Sequence, residues 1–233
     1  MTTSSQPDGD GPELSDGHPR LRVRAEPRWP ITLAVLVSVA MQLSLPDRHV
    51  FSPTMLFPTV EVLLLVVLVI GDPGRIDRRS TALTRLTVAL VAVMTVDNLA
   101  GVAELVRGIL DGSDRDNGPV LLATGAALWA TNVIAFSLWY WLLDRGGPAA
   151  RASGTPLAAA FAFPENATPE LAPRDWWPQY PDYLYLAFTN STALSPTDTL
   201  PLTRWAKMLM LAQSSIALVV VVMVIARAVN LLN

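Results

Sequence analysis

The sequence predicts an all-α, polytopic membrane protein with about five transmembrane helices and one shorter, re-entrant half-helix. Three observations support this fold class. Hydrophobic residues make up 51% of the chain. Charged residues make up only 16%, against about 25% in soluble domains. The apolar residues gather in long runs, and two of these, VEVLLLVVLVI (60–70) and IALVVVVMVIA (216–226), have no polar face at helical spacing. A soluble helical bundle needs such a face, so these runs indicate contact with lipid.

The first 28 residues predict a disordered tail with a basic end. Residues 1–19 are rich in Ser, Thr, Pro, Gly and Asp, and such a segment buries too little apolar surface to become ordered. Basic residues beside a membrane helix favour the cytoplasmic side, so the basic end of this tail is interpreted as a cytoplasmic anchor next to the first span. The alternative interpretation is a solvated basic tail. Four arginines precede Trp29 and the first apolar run: Arg20, Arg22, Arg24 and Arg28.

A four-helix transmembrane region is predicted over residues 29–145, and one further span closes the chain. A spanning helix needs about 20 apolar residues. The last three runs reach that length, whereas the first two are shorter and are bounded by prolines. The five runs are Ile31 to Leu45, Met55 to Ile70, Ala82 to Val106, Val120 to Leu143, and Trp205 to Leu232.

The charges of the links predict the orientation in the membrane. Arginines surround the link between the second and third spans and follow the fourth span. The link between the third and fourth spans instead holds Asp111, Asp114 and Asp116. The positive-inside rule then predicts a multi-pass protein of the cell membrane with a cytoplasmic N-terminus. The surrounding lipid bilayer is its first expected partner.

The segment between the fourth span and the last one differs from the rest. Residues 146–181 form a proline-rich loop, and its seven prolines exclude a long helix. Residues 182–233 are predicted to hold a re-entrant half-helix (about 183–194), a polar segment and the last span. The half-helix is apolar enough to enter a bilayer and too short to cross it. Irregular backbone at membrane depth survives only inside protein or beside water.

This order of span, broken loop, half-helix, polar segment and long span resembles the pore module of the potassium-channel superfamily. Asp198 falls on the aspartate of the channel's filter motif, and Pro201 falls on the proline that follows it. The last helix, with its terminal IAR, resembles that of a group of bacterial inner-membrane proteins with a degenerate form of this module. The resemblance covers the last third to half of the chain. It implies passage of an ion or small solute, and a homo-oligomer, a tetramer if the assembly is channel-like.

The filter itself departs from the channel pattern. Ser195 and Thr197 replace glycines, and Pro196 replaces the tyrosine, so a ladder of carbonyls facing an ion is not expected and potassium selectivity is not implied. The charges place this loop on the cytoplasmic side, whereas the channel module enters from outside. The alternative role of Asp198 is to cap the start of the last helix, and Thr203 is a second candidate for that cap. The filter-like or pore-lining candidates are Thr189, Asn190, Thr192, Ser195, Thr197 and Asp198.

Polar residues within the spans form a second set of candidates. Asp97 lies near the middle of the third span, where a charged side chain is costly and should face protein or water. It is a candidate ion or proton site, and the alternative is a structural clamp to Asn132 or Arg227. Glu61 in the second span is either a functional residue or an acidic residue that interacts favourably with the dipole at the N-terminus of its helix. The intramembrane polar candidates are Asp97, Asn98, Glu104, Asn132, Gln213 and Arg227.

The composition also excludes several kinds of chemistry. The chain has no cysteine and two histidines, and it lacks the motifs of serine hydrolases, zinc proteases and nucleotide-binding loops. We therefore expect no enzyme, no catalytic residues, no metal site and no cofactor. The net charge of −3 argues against nucleic acid as a partner. Three functions remain: a channel-like pore, a proton-coupled transporter that uses Asp97, and a non-conducting scaffold or accessory subunit.

Overall fold

A computed structural model describes most of the chain and is mostly helical. The described residues are 26–44, 55–71, 75–76, 80–112, 118–153, 157–168, 170–173, 176–192 and 198–231. Within these ranges the helices are α1 (Trp29–Ser44), α2 (Leu56–Gly71), α3 (Thr81–Asp111), α4 (Gly118–Leu143), α5 (Pro148–Ala152), α6 (Pro164–Ala167), α7 (Tyr180–Thr192) and α8 (Arg204–Leu231).

Two short antiparallel strand pairs join parts of the chain that are distant in sequence. Strand β1 (Glu26–Pro27) pairs with β2 (Arg75–Ile76). Strand β3 (Phe161–Ala162) pairs with β4 (Leu200–Pro201). The first pair brings the start of α1 to the link between α2 and α3. The second pair brings the segment after α7 back to the loop that follows α4.

Three helices are long and apolar enough to cross a membrane, namely α3, α4 and α8. Three such helices suggest a membrane protein, in agreement with the expectation, while the expected count of five spans is not confirmed. Helices α1 and α2 have 16 residues each, which is about 24 Å of helix. That is shorter than the hydrocarbon core of about 30 Å. The predicted apolar runs coincide with α1, α2, α3, α4 and α8, although α3 continues five residues beyond the predicted Val106.

Helix α4 is the centre of the bundle. It packs against α1, α3, α7 and α8, while α2 packs against α1 and α3. Its side chains are apolar on every side, and Leu128, Leu138 and Tyr140 are fully buried. Helix α8 is the opposite case, because one stripe (Ala206, Gln213, Ala217 and Val220) is buried and most of its other side chains are exposed. The exposed face of α8 is thus suited to lipid.

One end of the bundle carries much of the positive charge. It holds the start of α1, the end of α2, the start of α3, the end of α4 and the start of α8, because the two strand pairs and the short links bring these together. We call it the basic end. These are the helix ends that the positive-inside pattern predicts on the cytoplasmic side, and that orientation stays a prediction. Its described basic side chains are Arg28, Arg85, Arg145, Arg151, Arg204 and Lys207.

Helix α7 begins at the basic end and stops near the middle of α4. The Tyr180 hydroxyl lies 3.0 Å from the Ser137 hydroxyl, in the last two turns of α4. The ring of Phe188, two turns further along α7, packs edge-on against Trp129, with centroids 5.6 Å apart. Its 13 residues give about 20 Å of helix. The chain then returns, because β4 lies beside β3 and the Phe161 ring packs against both Tyr140 and Trp205.

The loop after α4 is built on a buried charge network. The chain leaves α4 through left-handed backbone at Arg145, Gly146 and Gly147, with φ of 53°, 79° and 85°. The carboxylate of Asp144 accepts hydrogen bonds from Arg145 at 2.6 Å and from the Tyr183 hydroxyl at 2.6 Å. Its other oxygen accepts from the backbone N–H of Ala160 at 2.7 Å. Asp144 thereby ties the start of α7 and the proline-rich loop to the end of α4.

A second charged pair fixes the start of the described chain. Arg151 donates to Glu26 at 2.8 Å, and Trp141 Nε1 donates to the same carboxylate at 2.6 Å. Arg151 also donates to the carbonyls of Trp141 and Asp144, both at 2.9 Å. Burial raises the pKa of the Tyr183 hydroxyl well above its ordinary value, so that this side chain keeps its proton and remains a donor to Asp144.

We predict that Glu26→Gln destabilises the protein strongly. Both partners are buried, with side-chain exposures of 0% for Arg151 and 5% for Glu26. Removing one charge leaves the other buried and unpaired, which costs about 3–5 kcal/mol. The measurement is the thermal melting midpoint in detergent, followed by size-exclusion chromatography. Glu170→Gln, which neutralises an exposed carboxylate, is the matched control, and equal midpoints for the two variants contradict the prediction.

Candidate functional site

The side chain of Gln213 joins three helices at mid-depth in the bundle. Gln213 is fully buried on α8. Its Nε2 donates to the Ala187 carbonyl and to the Ser191 hydroxyl of α7, both at 2.9 Å. Its Oε1 accepts from the Tyr140 hydroxyl of α4 at 2.5 Å and from Asn190 Nδ2 of α7 at 2.7 Å. All four hydrogen-bonding positions of this amide are therefore used.

Further bonds connect the same three helices. Asn190 Nδ2 also donates to the Met210 carbonyl at 3.0 Å, and the Ser214 hydroxyl donates to the Asn190 carbonyl at 3.0 Å. Asn132 Nδ2 of α4 donates to the carbonyl of Gln213 at 3.2 Å. Nine residues of helix separate Arg204 from Gln213, so this network lies about 13 Å along α8 from the basic end.

The network supplies partners to carbonyls near the inner end of α7. The last four carbonyls of any helix have no partner within the helix. The Asn190 carbonyl accepts a hydrogen bond from the Ser214 hydroxyl of α8. The Thr189 carbonyl accepts one from the Thr192 hydroxyl of α7 itself, at 3.3 Å. A helix that ends inside a bundle needs such partners, because a buried carbonyl without one is costly.

The structure separates the predicted filter-like residues into three groups. Asn190 belongs to the Gln213 network and faces the protein. Thr189 and Thr192 are partly or fully exposed, and their hydroxyls donate to α7 carbonyls one turn earlier, at 2.9 Å in both cases. Asp198 is exposed, and the helix cap comes from Thr203, whose hydroxyl accepts from the Ala206 N–H at 3.3 Å. Ser195 and Thr197 lie outside the described residues.

The intramembrane polar candidates of α3 lie partly in the core. Asp97 is 6% exposed and Asn98 is 2% exposed, which agrees with the expectation that they avoid lipid. Gly101 shares the buried face, and Glu104 is half-buried. The Oδ1 atom of Asn98 has no hydrogen-bond partner although it is buried.

The expected clamp between Asp97 and Asn132 or Arg227 differs from the observed contacts. Asn132 donates to the backbone of α8 at Gln213, and its Oδ1 has no partner. Arg227 is half-buried, and its Nε has no partner. The rotation of α4 explains the difference. A helix that is apolar all round does not indicate from sequence which face meets which neighbour.

A second buried polar contact lies between α1 and α2. Gln42 Nε2 lies 3.3 Å from each carboxylate oxygen of Glu61, and Glu61 is fully buried. The Gln42 Oε1 atom and the hydroxyl of Ser38, one turn earlier on α1, are buried without partners. Glu61 was recognisable in the sequence as a charge within an apolar run, whereas Gln42 was not predicted, and its only signal was a polar residue near the end of an apolar helix. Among the described residues, no three His, Cys, Asp or Glu side chains are grouped to hold a metal ion.

Compared with known protein families, with curated proteins and with solved structures, the chain matches none of them.

We predict that Gln213→Leu loosens α7 from the bundle. The change removes four side-chain hydrogen bonds, and interhelical bonds in membranes average about 0.6 kcal/mol, so the expected loss is about 2 kcal/mol. The measurement is unfolding in mixed micelles of increasing denaturing detergent. Ser215→Ala is the control, because this exposed hydroxyl bonds only to the Leu211 carbonyl of its own helix. A Gln213→Leu protein as stable as this control contradicts the prediction.

Proposed function

We propose that the chain is an integral protein of the cell membrane whose α4–α7–α8 module forms a pore for an ion or a small solute when several copies assemble. The observation that supports this proposal is that α7 begins at the basic end and that β4, the next described element, lies at the same end, with helices of spanning length before and after them in the chain. A helix of about 20 Å that stops at mid-depth leaves the other half of the layer to a cavity or to protein. That arrangement supports the resemblance to a pore module.

The exposed polar residues of the module are the proposed pore lining. Thr192 ends α7 and Asp198 lies two residues before β4, and both are exposed in the single chain. Asn190 is held by Gln213, so its proposed role is to position α7 and not to contact a solute. One module supplies only part of a ring, which is why the proposal includes a homo-oligomer, with four copies if the assembly is channel-like.

The proposed orientation puts the basic end in the cytoplasm. Arg28, Arg85, Arg204 and Lys207 lie at this end, and positive charge favours the cytoplasmic side. The module then enters from the side opposite to that of potassium channels.

We predict that the purified chain in liposomes conducts a cation or small solute, and that Asp198→Asn lowers the flux severalfold, because a ring of carboxylates attracts cations. The measurement is dye-reported flux of K⁺, Na⁺ and protons. Asp111→Asn is the matched control, since Asp111 is an equally exposed carboxylate at the far end of α3. Background flux from the wild-type protein, together with a single copy in native mass spectrometry, overturns the pore.

We predict that water reaches the end of α7, at Thr192, and the segment before β4, at Asp198, from the basic side. The chain has no cysteine, so single replacements Thr192→Cys and Asp198→Cys report access directly. A membrane-impermeant thiol reagent should modify both from the basic side. Leu218→Cys, at an exposed apolar position midway along α8, should remain unmodified in the bilayer. Failure to label Thr192→Cys while Asp198→Cys reacts limits water to the membrane surface and contradicts the pore.

Two alternatives have specific support. The saturated Gln213 network favours a non-conducting scaffold or accessory subunit, because its polar groups bond to each other. Background flux and co-purification of a partner protein support this alternative.

The burial of Asp97 beside an unpartnered Asn98 oxygen favours a proton-coupled transporter. Loss of pH-driven flux in Asp97→Asn, with Glu104→Gln unaffected, supports it.

A further inference from the structure

Two basic side chains lie at the head of an exposed apolar stripe on α8. Arg204 is the first residue of this helix and Lys207 lies one turn later, and both are exposed. Residues that follow at intervals of three or four share one helix face. On this face we define the α8 stripe by its exposed residues, which are Met208, Leu211, Ser215, Leu218 and Val222. The two cations therefore lie directly above an apolar track.

Both charged groups are accessible to a ligand. In the part of the chain that the structure describes, neither the Arg204 guanidinium nor the Lys207 ammonium forms an ion pair or a hydrogen bond with the protein. Arg145 and Arg151, by contrast, are buried and paired with carboxylates. Two exposed cations one turn apart without a counter-ion favour an anionic ligand that reaches both of them.

The backbone that carries these cations is fixed to the loop after α4. Strand β4 pairs with β3, and the Leu202 N–H donates to the Ala160 carbonyl at 2.8 Å. The Trp205 ring packs edge-on against Phe161, with centroids 6.1 Å apart. The Thr203 hydroxyl caps α8 by accepting from the Ala206 N–H. The start of α8 therefore holds the two cations on one face without support from a ligand.

The α8 stripe is an open surface along which a hydrocarbon chain can lie. Met208 is 60% exposed, Leu211 58% and Leu218 46%. The Ser215 hydroxyl donates to the Leu211 carbonyl at 2.8 Å, so its proton is used within the helix. Leu218 follows Lys207 by 11 residues, which is about 16 Å of helix. Half of the hydrocarbon core of a bilayer is about 15 Å thick, so the track has the length of one acyl chain.

We propose that Arg204, Lys207 and the α8 stripe bind an anionic phospholipid, with its phosphate at the two cations and one acyl chain along the stripe. Guanidinium and ammonium groups form charge-assisted hydrogen bonds with phosphate oxygens. The neighbouring Trp205 is 39% exposed, and tryptophan at the end of a span is typical of the headgroup layer. The site rests on the membrane location proposed above, but it does not depend on conduction.

The first test is native mass spectrometry of the full chain in detergent, titrated with phosphatidylglycerol or with phosphatidylcholine of the same acyl chains. We expect phosphatidylglycerol to bind about tenfold more tightly, and Arg204→Gln to weaken it about threefold while Arg204→Lys retains most of the affinity. Adding Lys207→Gln to Arg204→Gln should bring the two lipids to within about twofold of each other. Arg85→Gln removes an equal charge from the exposed start of α3, and it should change the affinity by less than about twofold.

The second test locates the lipid in a bilayer. The chain has no cysteine, so a bimane label on Leu211→Cys reports the lipid beside the stripe. In mixed vesicles, brominated phosphatidylglycerol should quench this label at an about fivefold lower lipid fraction than brominated phosphatidylcholine, and the double variant should abolish the difference. Leu63→Cys on α2 is the control, because its exposure of 59% matches the 58% of Leu211. Both lipids should quench it equally.

The outcomes separate this site from the proposed location. Equal binding of the two lipids, equal effects of Arg204→Gln and Arg85→Gln, or identical quenching at positions 211 and 63 overturns the lipid site while the membrane location stands. Release of the wild-type protein from membranes by alkaline carbonate overturns the location, and the lipid site with it.

Discussion

The end of α7 inside the bundle sets the constraint on which the contacts between α4, α7 and α8 depend. The last four carbonyls of a helix have no partner within the helix, and buried carbonyls need donors from elsewhere. The Ser214 hydroxyl of α8 donates to the Asn190 carbonyl, which is one of these four. Gln213 of α8 adds a donor to the Ala187 carbonyl, about one turn earlier. Because both donors belong to α8, the end of α7 keeps these partners only while α8 is docked against it.

The start of α7 is bound to the charged carboxylate of Asp144, whereas its other end is bound to the side-chain amide of Gln213. Asp144 accepts from Tyr183, from Arg145 and from the backbone of Ala160, so one buried carboxylate joins α4, α7 and the proline-rich loop. Removing one partner from a buried ion pair costs about 3–5 kcal/mol, whereas one interhelical hydrogen bond contributes about 0.6 kcal/mol. The two ends of α7 are therefore held by interactions of different strength, and several amide bonds act together where one carboxylate acts at the other end.

The apolar runs and the prolines were enough to predict the long helices and the short helix α7, because length and hydropathy are local properties. The contacts between helices were not predictable in the same way. Glu26 and Arg151 are 125 residues apart, and the charges looked like ordinary flanks of a membrane helix. Asn132 was expected to meet a polar side chain and instead meets the backbone of Gln213. A helix with no polar face leaves its rotation undetermined until its neighbours are known.

The lengths of the helices determine where the buried Glu61 lies. Both α1 and α2 reach the basic end, since β1 pairs with β2 there, so these two shorter helices stop before the opposite end of the bundle. Glu61 is five residues from the start of α2 and Gln42 is two residues from the end of α1, which places their contact near that side. Helices α3 and α4, with 31 and 26 residues, continue beyond it. A buried carboxylate is costly without a hydrogen-bond donor, and the amide of Gln42 supplies one from the neighbouring short helix.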